Sequence, residues 1–214
     1  MPLQTEKIPL IVILGPTASG KTGLAIHIAQ TIGGEIIGAD SRQIYKYMDI
    51  GTAKPTIAEQ AQAVHHMIDI INPDEPFPVA QYQAMVTHHI AQIHGRGKIP
   101  MLVGGTGQYI TVVTEGWSFP EVPPDHALRN ELEDYAQTHG AQALYDRLLA
   151  LDPEIAKIVH PNNVRRVVRY LEVCIITGEK MSDLQRKKPP PYRILELGLT
   201  GERLNLYERA DKRV

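Results

Sequence analysis

The sequence predicts an α/β fold: a parallel sheet flanked by helices, with a helical lobe inserted late in the chain. Three observations carry that expectation. An apolar run at 10–14 leads into GPTASGKT at 15–22 and then into residues of helical period. Apolar strand-like runs and helical stretches alternate up to about residue 110, the mark of parallel strands joined by crossovers. From Trp117 only helical segments follow, opened by the proline-rich FPEVPP at 119–124, until a strand signal returns at 194–199.

GPTASGKT fits G-x-x-x-x-G-K-[ST] at every fixed position, and it stands between a strand and a helix as that pattern requires. Gly15 and Gly20 let the backbone turn back, so that N–H groups along Pro16, Thr17, Ala18 and Ser19 and at the helix start converge on one anion. Lys21 adds a full positive charge. The Thr22 hydroxyl suits a divalent cation shared with the phosphates. The expected core is therefore a P-loop NTPase-like sheet that holds a phosphate group, and the loop alone leaves open whether that phosphate is transferred, hydrolysed or departs.

The remaining elements follow in order. Gly33-Gly34 ends the first helix, and residues 35–39 read as a second strand. Asp40, Ser41, Arg42 and Gln43 come directly after it, where open α/β sheets place ligand contacts. Residues 44–55 are polar and interrupted by glycine, and read as a loop outside the core. HHMIDII at 65–71 reads as a strand closed by Asn72-Pro73. Val79, Tyr82, Val86, Ile90 and Ile93 mark one face of a helix running to His94, and IPMLV at 99–103 is a buried strand ending in the turn GGTG at 104–107. In the lobe, Asp125 caps a helix to about His139, residues 141–151 form a second, and Asn162 or Asn163 caps a third. On that third helix Val164, Val168, Leu171 and Ile175 make an apolar stripe, while Arg165, Arg166 and Arg169 project elsewhere, free to meet an anion. Residues 202–214 read as a final helix with no stop signal. The expected organisation is a core at 1–118, an insertion at 119–191 and a return to the core at 192–214.

The chain has 214 residues, 43% hydrophobic and 21% charged, and no apolar run approaches the ~20 residues of a membrane span. The N-terminus lacks the basic and then apolar profile of a secretory signal, so a cytoplasmic monomer is expected. A single cysteine, Cys174, excludes an internal disulfide and a cysteine-rich zinc site, and its apolar neighbours suggest burial. The adjacent pairs His65-His66 and His88-His89 have no carboxylate or cysteine completing a zinc set. The net charge of −2 is uneven. Residues 1–146 hold 8 Lys and Arg against 15 Asp and Glu, or −7, and residues 147–214 hold 14 against 9, or +5. A basic C-terminal third on an acidic body suits a surface that meets a polyanion such as RNA.

Together with GPTASGKT, the blocks DSRQIYKYMDIGTAKP at 40–55, HHMID at 65–69, GKIPMLVGGTGQYI at 97–110 and PNNVRRVVRYLEV at 161–173 resemble the tRNA dimethylallyltransferases over essentially the whole chain. The resemblance implies transfer of a dimethylallyl group from dimethylallyl diphosphate to N6 of the adenosine beside the tRNA anticodon, with Mg²⁺. Residues Gly15 to Thr22 would then hold a leaving diphosphate, with Thr22 at the metal. It further implies that Asp40 is the general base, that Thr106 lies by the diphosphate and the entering base, and that Arg213 reaches the diphosphate. By the same resemblance tRNA contacts fall on Asp40, Ser41, Arg42, Gln43, Thr106, Arg129, Arg165, Arg166, Val167, Val168 and Arg169. N6 is out of reach in a stacked loop, so the adenine must be turned out.

Two features depart from the family pattern. Gln108 stands where an apolar residue is usual in GGTGxYI. Family members also continue past this point with further helices, so a chain ending at 214 is expected to bind diphosphate and to transfer the prenyl group slowly. Three other readings share the phosphate loop: a prenyltransferase acting on free adenine nucleotides, a small-metabolite kinase, and a truncated binding remnant without turnover. A small substrate gives no reason for DSRQ or for the arginine-bearing insertion, which disfavours the kinase.

Overall fold

The computed structural model describes residues 7–118, 120, 122–185 and 187–212. Among them five strands form one parallel sheet in the order β3-β2-β4-β1-β5. β1 (Ile8–Leu14) runs through the phosphate loop into α1 (Lys21–Ile32), which ends at Gly33 in the left-handed conformation. β2 (Gly34–Ala39) follows, then α2 (Ile57–Gln60) and the short β3 (His65–His66). α3 (Val79–Gly95) leads to β4 (Ile99–Gly104) and α4 (Gly107–Thr114).

The lobe contains α5 (His126–His139), α6 (Ala141–Leu151), α7 (Pro153–Ala156), α8 (Val164–Thr177) and α9 (Met181–Leu184). β5 (Tyr192–Gly198) and α10 (Arg203–Asp211) return to the sheet unit. Two compact units result: Trp117–Lys188, and the described residues before and after it.

Why these elements form is visible in what each buries. In the sheet unit Ile13, Ala25, Ile26, Ala29, Ile36 and Met101 close one core between α1 and the strands. On α3, Tyr82, Val86, Ile90 and Ile93 are fully buried, and Tyr82 stacks on Tyr109 of α4 with ring centres 3.7 Å apart. In the lobe Asp125 accepts from Leu128 N at 3.0 Å and Asn163 from Arg166 N at 3.3 Å, so both expected caps form.

Several sequence expectations need correction. The stripe on α8 is rotated: Val167, Leu171 and Cys174 are buried with Val168, whereas Ile175 is exposed. The strand expected at 65–71 stops after His66, because Met67 and Asp69 take left-handed φ of 63° and 54° that no ladder tolerates. The chain there pairs with the segment 43–46 instead, where Ile70 N donates to Ile44 O at 2.8 Å and Lys46 N to Ile71 O at 2.9 Å. Ile44 is buried, so that segment belongs partly to the core. Helix α4 carries the β-branched run Ile110 to Thr114, which gives no helical signal in sequence; burial of Tyr109, Ile110, Val112 and Val113 overrides propensity.

Two buried carboxylates brace the units. In the lobe, Glu172 is fully buried and accepts Arg129 through both oxygens at 2.8 Å, Arg169 Nη1 at 2.5 Å and Asp125 N at 2.7 Å. Removing one partner of such a group typically costs about 3–5 kcal/mol. In the sheet unit, Glu35 (3% exposed) accepts His66 Nε2 and Arg96 Nη2 at 2.7 Å, with Lys98 Nζ at 3.0 Å. Burial alone would raise its pKa, but the hydrogen bonds from His66, Lys98 and Arg96 outweigh it and bring the carboxyl from an ordinary 4.5 down to about 2.

A lowered carboxyl pKa favours the fold above the unfolded value, and the benefit disappears as pH falls through the folded value. The stability gap between the parent and Glu35→Gln should therefore be constant above about pH 4.5 and shrink between 4.5 and about 2. Thermal melts across that range check this, and a gap indifferent to pH there refutes it.

Candidate active site

Sheet register levels the strand ends. Leu14 pairs with Gly104 and with Gly198, and Gly104 pairs with Ala39. The residues that follow, Gly15, Gly105-Thr106, Leu199 and Asp40, therefore emerge at one height at the carboxyl edge of the sheet. The connections from β1 and β4 leave in opposite directions, to β2 and to β5, which opens the crevice where α/β sheets take ligands.

The phosphate loop fills the β1 side of that crevice. Ala18 and Gly20 are left-handed, and Gly20 caps α1 without a side chain, so the first helical N–H groups have no side-chain cap. Gly15 is dictated by close approach, since a Cβ there would lie 2.6 Å from Leu199 O on the neighbouring chain end. Lys21 folds back over the loop and donates to Gly15 O at 2.8 Å and Pro16 O at 2.7 Å. Ser19 Oγ is buried and has no hydrogen-bond partner among the described residues. Thr17 and Thr22 line a cavity of about 70 Å³ that Asp40 and Gln43 also line.

Asp40 sits at the end of β2 in a tight polar turn. Its Oδ1 accepts from Arg42 N at 2.8 Å and Gln43 N at 3.4 Å, while Oδ2 makes no hydrogen bond among the described residues. Thr106 begins α4 and fastens that turn from the neighbouring strand: its N–H donates to Ala39 O at 3.0 Å, and its hydroxyl accepts from Ser41 N at 2.9 Å. Ser41, Arg42 and Thr106 line a second cavity of about 340 Å³, together with Phe77, Gln108 and Tyr109. Asp40 thus lines the first cavity and Thr106, bonded to the same turn, the second.

The arginines expected at an RNA surface divide into two kinds. Arg169, expected to project freely, is instead committed to Glu172 and donates to Val122 O at 3.0 Å, and Arg129 is held by the same carboxylate. Val167 and Val168 are buried at 0% and 2% exposure and cannot offer side chains to a partner. Arg165 is exposed with no partner among the described residues, and Arg166 is exposed while bonding Tyr170 OH at 2.6 Å. Arg213 lies outside the described residues.

Two residues of the site escape sequence reasoning. His65 lines the small cavity; its Nδ1–H donates to Ala63 O at 2.7 Å, its Nε2 is buried without a partner among the described residues, and burial pushes its pKa down. Lys54 is buried at 9% exposure and bonds two carboxylates, Asp49 and Asp69, each at 2.5 Å. Burial opposes its charge, yet the two carboxylates outweigh burial and raise its pKa. A buried lysine with partners five and fifteen positions away leaves no local pattern.

For a cation the described residues contain no cluster of three or more His, Cys, Asp or Glu. The hard oxygen donors at hand are the Thr22 and Ser19 hydroxyls beside the anion cradle. That suits an ion that keeps its water and takes further ligands from a bound phosphate.

Comparison with known proteins follows the same features. The family model described as IPP transferase matches residues 43–214, and that described as isopentenyl transferase matches residues 8–69. A tRNA dimethylallyltransferase of Chloroflexus aurantiacus is 55% identical over 205 residues, 96% of this chain and 69% of the relative. The full-length tRNA isopentenylpyrophosphate transferase of Bacillus halodurans has a similar structure, with TM-score 0.64 and 43% identity over 97% of this chain and 65% of that one. A eukaryotic dimethylallyltransferase captured acting on tRNA gives TM-score 0.78 and 32% identity over 96% of this chain and 52% of that one. The chain thus spans about two thirds of the length of the two bacterial relatives and about half of the eukaryotic one.

The cradle yields one test. Gly15→Ala should weaken binding of inorganic pyrophosphate at least ~10-fold, because the loop must move off Leu199. Gly23→Ala, where nothing lies within 4 Å, should leave it within about twofold. Calorimetric titration separates the two, and equal affinities would show that the close approach is not needed.

Proposed function

The chain belongs to the IPP transferase family, and from that premise we propose that it transfers a dimethylallyl group from dimethylallyl diphosphate to N6 of the adenosine beside the anticodon of tRNA. One observation carries the proposal: Asp40, whose Oδ2 makes no hydrogen bond among the described residues, lines one small cavity together with the loop built to cradle phosphate.

The chemistry follows from that arrangement. The N6 lone pair forms a bond to the allylic carbon as the carbon–oxygen bond breaks, and that electron pair leaves on the diphosphate. Backbone N–H groups of Gly15 to Gly20 and the Lys21 ammonium stabilise the charge gathering on the departing oxygens. N6 becomes cationic as it attacks, and its proton passes to Oδ2 of Asp40, while Oδ1 stays held by the amides of Arg42 and Gln43. Thr106 supports the base through Ser41 N. Mg²⁺, held at Thr22 and by the diphosphate itself, would neutralise leaving-group charge when bound.

The target adenine enters from the Ser41–Arg42 side, where the larger opening has aromatic walls at Phe77 and Tyr109. Arg165 and Arg166 meet tRNA phosphates, and Arg129 and Arg169 hold the surface that presents them. The protein works on this reading as a cytoplasmic monomer. No described helix is long and apolar enough to cross a membrane.

Incubation with labelled dimethylallyl diphosphate and either tRNA or AMP, and separately with γ-labelled ATP, tests the reaction. Label in tRNA is expected; label in AMP alone, or phosphoryl transfer from ATP, would reject the proposal. Asp40→Ala should lower turnover by about 10²-fold or more with pyrophosphate affinity within ~3-fold, since a base acts in the transition state. Turnover close to the parent's removes Asp40 from that role.

The arginines give a separate forecast. Changing Arg165 and Arg166 to Ala should lower the slope of log affinity for tRNA against log salt by about 1–2. Arg169→Ala should chiefly lower the melting temperature, since Glu172 loses a partner. An unaltered slope in the double variant excludes phosphate contacts there.

A further inference from the structure

Lys54 has no part in the proposed chemistry, although with Asp49 and Asp69 it lines a cavity that Gly20 and Thr22 also line. It does not line the cavity shared by Asp40 and the phosphate loop, yet all three of its ammonium N–H donors are taken, by Tyr45 O at 2.9 Å, Asp49 Oδ1 and Asp69 Oδ1 at 2.5 Å. A buried ammonium is a poor staple if holding chain segments together is the only need, because an apolar residue of similar size is often neutral or better. What distinguishes an ammonium is geometry: three directed bonds admit one arrangement of the segments they join.

Those segments are unusual. One runs from Tyr45 to Lys54 and the other from Met67 to Ile71. Of the five described non-glycine residues with left-handed φ, Tyr47 and Ala53 lie in the first and Met67 and Asp69 in the second; the fifth, Ala18, is in the phosphate loop. Left-handed non-glycine residues persist where surroundings over-determine them, and they gather at working sites.

Gln43 is held by both segments that Lys54 joins. Its side-chain Nε2 donates to Thr52 O at 3.0 Å and Ala53 O at 3.1 Å, and its carbonyl accepts from Asp69 N at 3.2 Å. Its own N–H, beside that of Arg42, leans on Oδ1 of Asp40. A closed circuit therefore runs from Lys54 through both segments to Gln43 and on to the turn that aims the Asp40 carboxylate.

We infer that Lys54 is a positioning residue for prenyl transfer, clamping the 45–54 and 67–71 segments around Gln43 so that the Asp40 turn keeps its carboxylate in place at the cavity. The inference rests on the reading of Asp40 as the base. Lys54 moves no proton and touches no substrate; it fixes where the base stands. No bond of the circuit is made by a phosphate-loop residue, so loss of the clamp should reach the transition state and spare diphosphate binding.

The test uses the 214-residue chain with Lys54→Met, Lys54→Arg, Asp40→Ala and, as a control on an exposed lobe lysine, Lys157→Met. Dimethylallyl incorporation into tRNA gives kcat and KM, titration gives pyrophosphate affinity, and NMR hydrogen exchange follows the Arg42 and Gln43 amides. Lys54→Met should lower kcat at least ~10-fold with KM and pyrophosphate affinity within ~3-fold, and should speed exchange at both amides by about tenfold or more. Lys54→Arg should restore a substantial part of both, and Lys157→Met should match the parent.

A kcat within ~3-fold of the parent, unchanged amide exchange, or a parallel loss of pyrophosphate affinity would each overturn the clamp. If Lys54→Met does not fold, Asp49→Asn removes one bond from the exposed side, and the same faster exchange is expected; unchanged exchange overturns the inference. If Asp40→Ala retains turnover, the base assignment fails, and the exchange measurement still decides whether Lys54 holds the turn.

Discussion

The site depends on sheet register. Ala39, Gly104, Leu14 and Gly198 are bonded neighbours at one level, so four chain segments leave the sheet together. Shift one strand by a residue and its side chains change face, while Asp40 or Thr106 rises or sinks by more than 3 Å. Fully buried side chains such as Leu10, Val12, Ile13, Ile37, Met101 and Leu102 make such a slip prohibitive. Core packing far from the crevice thereby fixes distances inside it, and Gly15 and Gly104 are glycines because level strand ends leave no space for a Cβ.

The part of this arrangement governed by local rules is legible in sequence. The phosphate loop, the left-handed stop at Gly33, the caps at Asp125 and Asn163, and the buried face of α3 all depend on residues within a turn or two of each other. What stays hidden depends on partners remote in sequence. Nothing near Arg129 and Arg169 shows that Glu172 claims both, and nothing near Lys54 announces Asp69. The 65–71 segment looks like a strand because its residues suit one. It turns away because Met67 and Asp69 adopt φ values that only tertiary bonds to Ile44 and Lys54 impose.

Buried charge recurs with a common logic. Glu35, Glu172 and Lys54 are each surrounded by several opposite or polar partners, and each ties together parts of the chain that hydrophobic contact alone would hold loosely. Apolar packing sets how strongly an element is held, and directed bonds to a desolvated charge set where it is held. The two Glu centres serve separate units, one at the edge of the sheet and one between helices of the lobe.

Lys21 has a last consequence. Its ammonium rests on Gly15 O and Pro16 O, a seat the protein supplies for itself. An arriving anion therefore meets a cradle already folded around a cation, and binding is an exchange of hydrogen-bond partners. The same seat receives the ammonium again when the anion departs. Release then leaves no stranded charge behind, and a loop that binds a polyanion has a built-in route to letting it go.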